Sequence, residues 1–171
     1  MRTALIAGLL VAAAARGHAA EPSLFHVSGA AGFAGLGSLE AVHLSTGLGY
    51  SPKPFLTLGA DLSYSYLPLA RQARGGGNRA YWGLATVTAA ARPGAKVSPY
   101  AVLGYGIGRY EPSWSRAESG NAFAFGLGLN VRLSPRASLF MESRLAIMGG
   151  IGAADGLHGE LPVKVGVRFR P

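Results

Sequence analysis

Two short motifs pair a histidine with a serine two residues on: His26-Val27-Ser28 and His43-Leu44-Ser45. A histidine that draws the proton from a serine hydroxyl, with an acid to orient the ring, is the working arrangement of a hydrolase. In an extended chain both members of each pair lie on one face, so what that face meets decides whether the pair can do chemistry. A second set is ionic: Asp61, Glu142, Arg144 and Lys164, joined by Arg132 and Arg168. A third is PLARQARGGGNR at 68–79, where Arg71, Arg74 and Arg79 surround a triple glycine. Guanidinium groups of this kind grip phosphates bidentately. Walker, dinucleotide-binding and zinc-ligand patterns are missing, and the Gly-x-Gly runs fall inside strand-like segments. The chain has no cysteine, hence no disulfide and no thiolate metal site. No cofactor is expected.

These groups sit in a chain that alternates. In NAFAFGLGLNVRL, residues 121–133, one parity holds Phe123, Phe125, Leu127, Leu129, Val131 and Leu133. The other holds Ala122, Ala124, Gly126, Gly128, Asn130 and Arg132. A strand with period two sends those sets to opposite faces. Similar segments cover 24–33, 39–50, 55–67, 81–92, 99–111, 122–133, 137–148 and 160–170. Each has the about 9–11 residues, or slightly more, that a tilted strand needs to cross a bilayer. Tight Pro-marked turns at 51–54, 93–98 and 134–136 alternate with longer links at 68–80, 112–121 and 149–159, 34–38 being a short exception. An even number of strands then leaves both termini on the short-turn side. The predicted fold class is all-β: an eight-stranded antiparallel up-and-down transmembrane β-barrel with periplasmic turns and extracellular loops.

Facing follows from the poorer parity. Leu161, Val163, Val165 and Val167 oppose Glu160, Lys164, Gly166 and Arg168, and Leu139, Met141, Leu145 and Ile147 oppose Ser138, Phe140, Glu142, Arg144 and Ala146. Were the apolar parity a soluble core, the other would be a water-facing surface, normally about 25–35% charged. Here it is mostly Gly, Ala, Ser and Asn. A crowded interior explains that composition, and the apolar parity then faces lipid. Accordingly Leu127→Arg is predicted to be far costlier than Gly128→Ser. Two interfacial aromatic girdles are expected, Tyr50, Tyr100 and Phe169 at turn-side ends and Phe33, Tyr64, Tyr66, Trp82 and Tyr110 toward loop-side ends. In the fourth segment Trp82 and Leu84 share a parity with Thr86 and Thr88, which leaves its register open.

At 171 residues, with 14% charged and 49% hydrophobic residues and 26 glycines, the chain has room for one domain and is too apolar for disorder. Its start has the form of a secretory signal peptide: Arg2, an apolar run over 4–15, and Gly17-His18-Ala19 as a small-x-small cleavage pattern. Cleavage is expected after Ala19 or Ala20, giving a leader at 1–19 and a barrel at 20–171. The apolar run falls short of the roughly 20 residues of a spanning helix. Without Arg2 and Arg16, 14 basic and 8 acidic side chains remain, about +6, a balance that favours anionic neighbours.

Certain stretches carry a family resemblance. Pro99-Tyr100-Ala101-Val102-Leu103-Gly104-Tyr105-Gly106-Ile107-Gly108 resembles the PYxxxGxGxG strand of the outer-membrane β-barrel domain family, whose simplest members are OmpX and the transmembrane half of OmpA. Phe125 to Arg132 with LFMESR at 139–144 is similar to that family's next hairpin, and Val165-Gly166-Val167-Arg168-Phe169 to its closing strand. The resemblance implies an integral, monomeric outer-membrane protein with outer-membrane lipid and lipopolysaccharide as neighbours and no nucleic-acid partner. It also implies the barrel-assembly machinery as a biogenesis partner. Where family members end on an aromatic residue this chain reads Phe169-Arg170-Pro171, so Phe169 is the substitute signal.

Within such a barrel Asp61, Glu142, Arg144, Lys164, Arg132 and Arg168 take the inward parity. Buried charges are costly unless paired, so a salt-bridge network is expected. It is either a structural plug or an ion path, and eight strands close a barrel just wide enough to be filled by side chains. Both His-x-Ser pairs also fall inward, and neither is followed by the Asn that lipid A deacylases carry after that motif. Arg71, Arg74 and Arg79 form a basic loop patch for phosphates or an extracellular ligand. Three readings remain: a non-catalytic structural, adhesive or envelope-stabilising barrel, a narrow channel for ions or very small solutes, and a lipid hydrolase.

Overall fold

A computed structural model describes residues 24–36, 39–67, 77–113, 116–150 and 157–171. The leader and its cleavage site, and Arg71 and Arg74, lie outside the described residues. Eight strands follow one another: β1 (Phe25–Leu36), β2 (Leu39–Lys53), β3 (Leu56–Leu67), β4 (Asn78–Ala90), β5 (Val97–Glu111), β6 (Glu118–Arg132), β7 (Ala137–Gly150) and β8 (Leu157–Phe169). Each pairs antiparallel with the next, and β8 returns to β1, so the sheet closes in the order of the sequence. Closure leaves no edge strand with unpaired backbone groups, a requirement for spanning lipid with strands. Several strands begin before their alternating segment does, β6 at Glu118 and β4 at Asn78. Backbone pairing continues wherever the neighbour extends, whatever the side chains do.

Side chains alternate as the period-two pattern requires. On β6, Phe123, Phe125, Leu127 and Leu129 are exposed while Ala122, Ala124 and Gly126 are buried. On β8, Leu161, Val163, Val165 and Val167 are exposed, and Glu160 and Lys164 are buried. A continuous apolar exterior of this extent exceeds what a soluble monomer presents and matches the apolar band of a membrane barrel. The open register of β4 is settled by its ladder to β3, which runs unbroken from Leu56↔Ala89 to Leu67↔Asn78. Trp82 and Leu84 point inward with Thr86 and Thr88, and Tyr81 and Val87 point outward.

The turns carry their own logic. Gly94 adopts φ 91° in the β4–β5 turn, a left-handed conformation that glycine enters without a steric penalty. In the β6–β7 turn the Ser134 hydroxyl oxygen accepts from the backbone N–H groups of Arg136 and Ala137, satisfying donors the ladder leaves over.

Three of the expected girdle residues are not on the girdle. Tyr100 and Trp82 are buried inside the barrel, and Tyr110 packs against the interior apolar cluster. Tyr100 and Tyr110 share the parity of Gly104, Gly106 and Gly108, so strand position, rather than proximity to a turn, sets where an aromatic points. Tyr50 and Phe33 are exposed on the outward parity, with Tyr64, Tyr66 and Phe169 less so. Pairs complete the belts: Phe25 with Tyr50 at 5.0 Å between ring centroids on the turn side, and Tyr64 with Tyr81 at 5.1 Å toward the loops.

Candidate functional site in the barrel interior

Near the middle of the lumen, strands β7, β8 and β3 bring four charges together. Glu142 and Arg144 stand two apart on β7 and so share the inward face, and Lys164 is the register partner of Glu142 on β8. Arg144 Nη2 lies 2.7 Å from Glu142 Oε1 and 3.3 Å from Asp61 Oδ2, reaching across the lumen to β3. Lys164 Nζ lies 3.3 Å from Glu142 Oε1 and 3.5 Å from Asp61 Oδ2, and donates to Ser45 Oγ at 3.2 Å. Two carboxylates and two cations leave the cluster neutral. Tyr100 adds a donor that sequence reading placed on the membrane surface: its hydroxyl donates to Glu142 Oε2 at 3.0 Å. That position is open because the register partner of Tyr100 is Gly128, where a side-chain carbon would run into the tyrosine ring and the Met141 carbonyl. Gly128→Ser is therefore not the mild change its small-residue parity suggests.

Arg132 and Arg168 do not join this network. Arg168 lies over the rings of Tyr100 and Phe140, at 5.7 Å and 5.3 Å from their centroids, a cation–π arrangement below the ion cluster. Arg132 is exposed at the turn-side rim, because its strand ends there.

The histidine–serine pairs are not brought together either. Lys164 holds Ser45, and the His43 ring instead meets Ser65, its register partner on β3, at 2.8 Å from Nδ1 to Oγ. Ser65 Oγ in turn donates to Glu160 Oε1 at 3.0 Å, and His43 Nδ1 is 3.7 Å from the same oxygen. Ser28 Oγ donates to the Gly47 carbonyl. A serine, a histidine and an acid thus meet, but in the wrong order for hydrolysis. The hydroxyl has one proton, and with that proton on Glu160 the ring must donate to the serine rather than deprotonate it. His43 and Glu160 are each about 2% exposed at their side chains, so no acyl chain reaches the hydroxyl. The cluster is a buried hydrogen-bond chain, with His43 Nε2 left without a partner. Ser65 and Glu160 were legible only as inward positions; their partnership depends on which strands close the barrel.

Toward the loops, Trp82, Leu84, Ala122, Ala124, Ala146 and Met148 form an apolar layer. Toward the turns, a polar cavity of about 40 Å³ opens beneath the ion cluster, with Asp61, Glu142, Arg144 and Lys164 as its roof and Thr57, Thr86 and Thr88 along its wall. That volume accommodates a few waters, each needing about 10–15 Å³ by this measure. On the opposite rim Arg79 is exposed at the start of β4, and Arg109 pairs with Glu111 at 2.8 Å.

No family model and no curated protein matches the chain. Solved structures do. The chain is similar to Neisserial surface protein A, with a TM-score of 0.68, 18% identity, and coverage of 87% of this chain and 98% of that one. It is similar to the N-terminal β-barrel domain of Pseudomonas aeruginosa OprF, with a TM-score of 0.52, 16% identity, and coverage of 87% and 98%. The outer membrane enzyme PagL gives a TM-score of 0.53 at 15% identity, covering 85% and 99%. At such identities the likeness speaks for architecture alone. With its closed, antiparallel, sequentially ordered eight strands and apolar exterior, this chain shares the fold of the small outer-membrane β-barrels.

Proposed function

We propose that the protein is exported by its N-terminal leader and resides in the bacterial outer membrane as a monomeric, plugged barrel. Its role is structural, adhesive or envelope-stabilising, and it performs no catalysis. The observation that carries this reading is the filled interior: a neutral four-charge cluster beneath an apolar layer of Trp82, Leu84 and Met148. Such a lumen holds strands together and offers neither a continuous water path nor a reachable nucleophile. Its neighbours are outer-membrane lipid and lipopolysaccharide, and Phe169 addresses it to the barrel-assembly machinery. Arg71, Arg74 and Arg79 give the β3–β4 loop a phosphate-gripping or ligand-binding surface.

Planar-bilayer recording of the refolded protein, after a heat-modifiable gel shift has shown that it is folded, tests the plug. The native protein is expected to be silent, and steady conductance would overturn the reading in favour of the channel. That second reading draws on the polar cavity beneath the cluster; Glu142→Gln, which unbalances the roof, is then the variant whose conductance should differ. Lipid A mass spectra from cells with and without the protein test hydrolysis, and a changed acyl pattern would refute the non-catalytic assignment.

A further inference from the structure

Among the described side chains, the charges of the turn-side rim are basic. Lys53 at the end of β2, Arg92 and Lys96 between β4 and β5, Arg132 at the end of β6, Arg136 in the β6–β7 turn, and Arg170 after β8 lie there. Among the described residues this rim holds no Asp or Glu side chain; Asp61, Glu142 and Glu160 lie inside the barrel, and Glu111 and Glu118 lie at the loop end. The loop end is mixed by comparison, with Arg109 neutralised by Glu111. The cations occupy all three turns and the carboxyl-terminal strand end, so they encircle the barrel instead of forming one patch. They also adjoin the exposed apolar band: Lys53 Nζ sits 5.8 Å above the Phe55 ring, and Val97 and Leu133 lie next to Lys96 and Arg132 in sequence. Arg132, Arg136 and Arg170 converge with Ser134 and Ser138 on a recess of about 30 Å³. Partial burial, and then repulsion from Arg168 and Arg132, holds the Arg170 guanidinium below its ordinary range. An anion placed there relieves that repulsion.

We propose that this rim binds the phosphate headgroups of anionic phospholipid in the leaflet that surrounds the turns, an inference that rests on the outer-membrane barrel reading. A ring at the level where the apolar band ends faces headgroups on every side, whereas a soluble polyanion or a globular partner would engage one sector of it. Charge complementarity supplies the attraction, and the guanidinium groups supply bidentate geometry for phosphate oxygens.

The test uses the full protein refolded into phosphatidylcholine vesicles containing phosphatidylglycerol, with spin-labelled lipids reporting which headgroup lies against the barrel. The native protein should prefer the labelled phosphatidylglycerol roughly five-fold, the ratio one cation at an anionic surface gives, and high salt should remove the preference. A variant carrying Lys53→Gln, Arg92→Gln, Lys96→Gln, Arg132→Gln, Arg136→Gln and Arg170→Gln should show no preference. One carrying Arg79→Gln and Arg109→Gln at the loop end should keep it. Equal association of both lipids with the native protein overturns the proposal, as does a preference that survives high salt or the rim substitutions, or rim-dependent binding of heparin fragments without lipid selectivity. Failure to insert at all overturns the barrel reading and this one with it; insertion without selectivity overturns this one alone.

Discussion

Replacing Lys164 with methionine keeps the unbranched apolar stem, one atom shorter, and removes the charge from the centre of the barrel. The Lys164 side chain is about 3% exposed, with Nζ 3.3 Å and 3.5 Å from Glu142 and Asp61, so no solvent stands in for it on those sides. What remains is Asp61 and Glu142 against Arg144 alone, a buried cluster with one negative charge in excess. Breaking a buried pair by removing one partner costs about 3–5 kcal/mol. The waters that fit the adjoining cavity place the expectation at the lower end, about 3 kcal/mol. Glu142→Gln alone leaves the opposite imbalance and weakens the acceptor for Arg144 and Tyr100, so it should cost a similar amount. The double substitution restores neutrality and retains the Arg144–Asp61 pair at 3.3 Å. It should therefore cost about 2 kcal/mol less than the sum of the two single changes, within the range measured for residues sharing a network. Urea unfolding in zwitterionic micelles, followed by tryptophan fluorescence with Trp82 buried just above the cluster, gives each term. Additivity within about 0.5 kcal/mol would show that the four charges are not one unit. A Lys164→Met cost below about 1 kcal/mol would refute the claim that the cluster is dry enough for charge balance to matter.

Three further predictions use the same assay. Leu127, 59% exposed on the outward face of β6, should tolerate arginine poorly, at a cost of about 2–4 kcal/mol for a midplane cation against lipid. Gly128→Ala, on the opposite face, should also destabilise because of Tyr100, and pairing it with Tyr100→Ala should recover part of the loss; a mild Gly128→Ala would mean that Tyr100 does not occupy the lumen. Tyr100→Phe deletes the donor to Glu142 and should cost about 1.5–3 kcal/mol, as for a hydrogen bond to a charged group; an unchanged midpoint would place that hydroxyl elsewhere.

The fold was legible because period-two alternation is a local property, repeated eight times with turn residues between, and the composition of the poorer face decides which side meets lipid. The inward positions of Asp61, Glu142, Arg144 and Lys164 follow from parity alone, as does that of Glu160. Their partners do not. His43 finds Ser65 because β2 and β3 are register neighbours, and Ser65 finds Glu160 because β8 closes onto β1 and brings its inner face near. No spacing within one strand encodes either step, which is why His43-x-Ser45 suggests a pair where the folded chain forms none. Tyr100, Trp82 and Tyr110 depart from the expected girdles for a different reason: nearness to a turn sets how far along the strand a residue lies, and parity sets which face it takes. Parity is the stronger signal, because a side chain cannot change face without a bulge or a register slip.

Glycine content invites the thought of an open pore, and the register argues otherwise. Gly128 faces the Tyr100 ring, Gly108 faces Trp82 and Met148, and Gly126 faces Val102 and Arg144. Each missing side chain is matched by a large one, so the small parity of β5 and β6 is the complement of the bulky inward residues on β4 and β7 and of β5's own Tyr100 and Val102. An eight-stranded barrel has room for about one such layer of side chains. Pairing glycine with bulk fills that room without forcing strained rotamers, while pairing bulk with bulk would expand the barrel. The polar cavity lies where one wall is formed by the short side chains Thr57, Thr86 and Thr88, with Phe140 and Arg168 also at its edge. The interior is therefore filled unevenly: an apolar layer packs the loop-side half, and beside the short hydroxyl residues of β3 and β4 the turn-side half keeps a polar cavity. The ion cluster lies at the boundary, solvated from one side and insulated from the other, which is where a balanced set of charges can be both buried and paired.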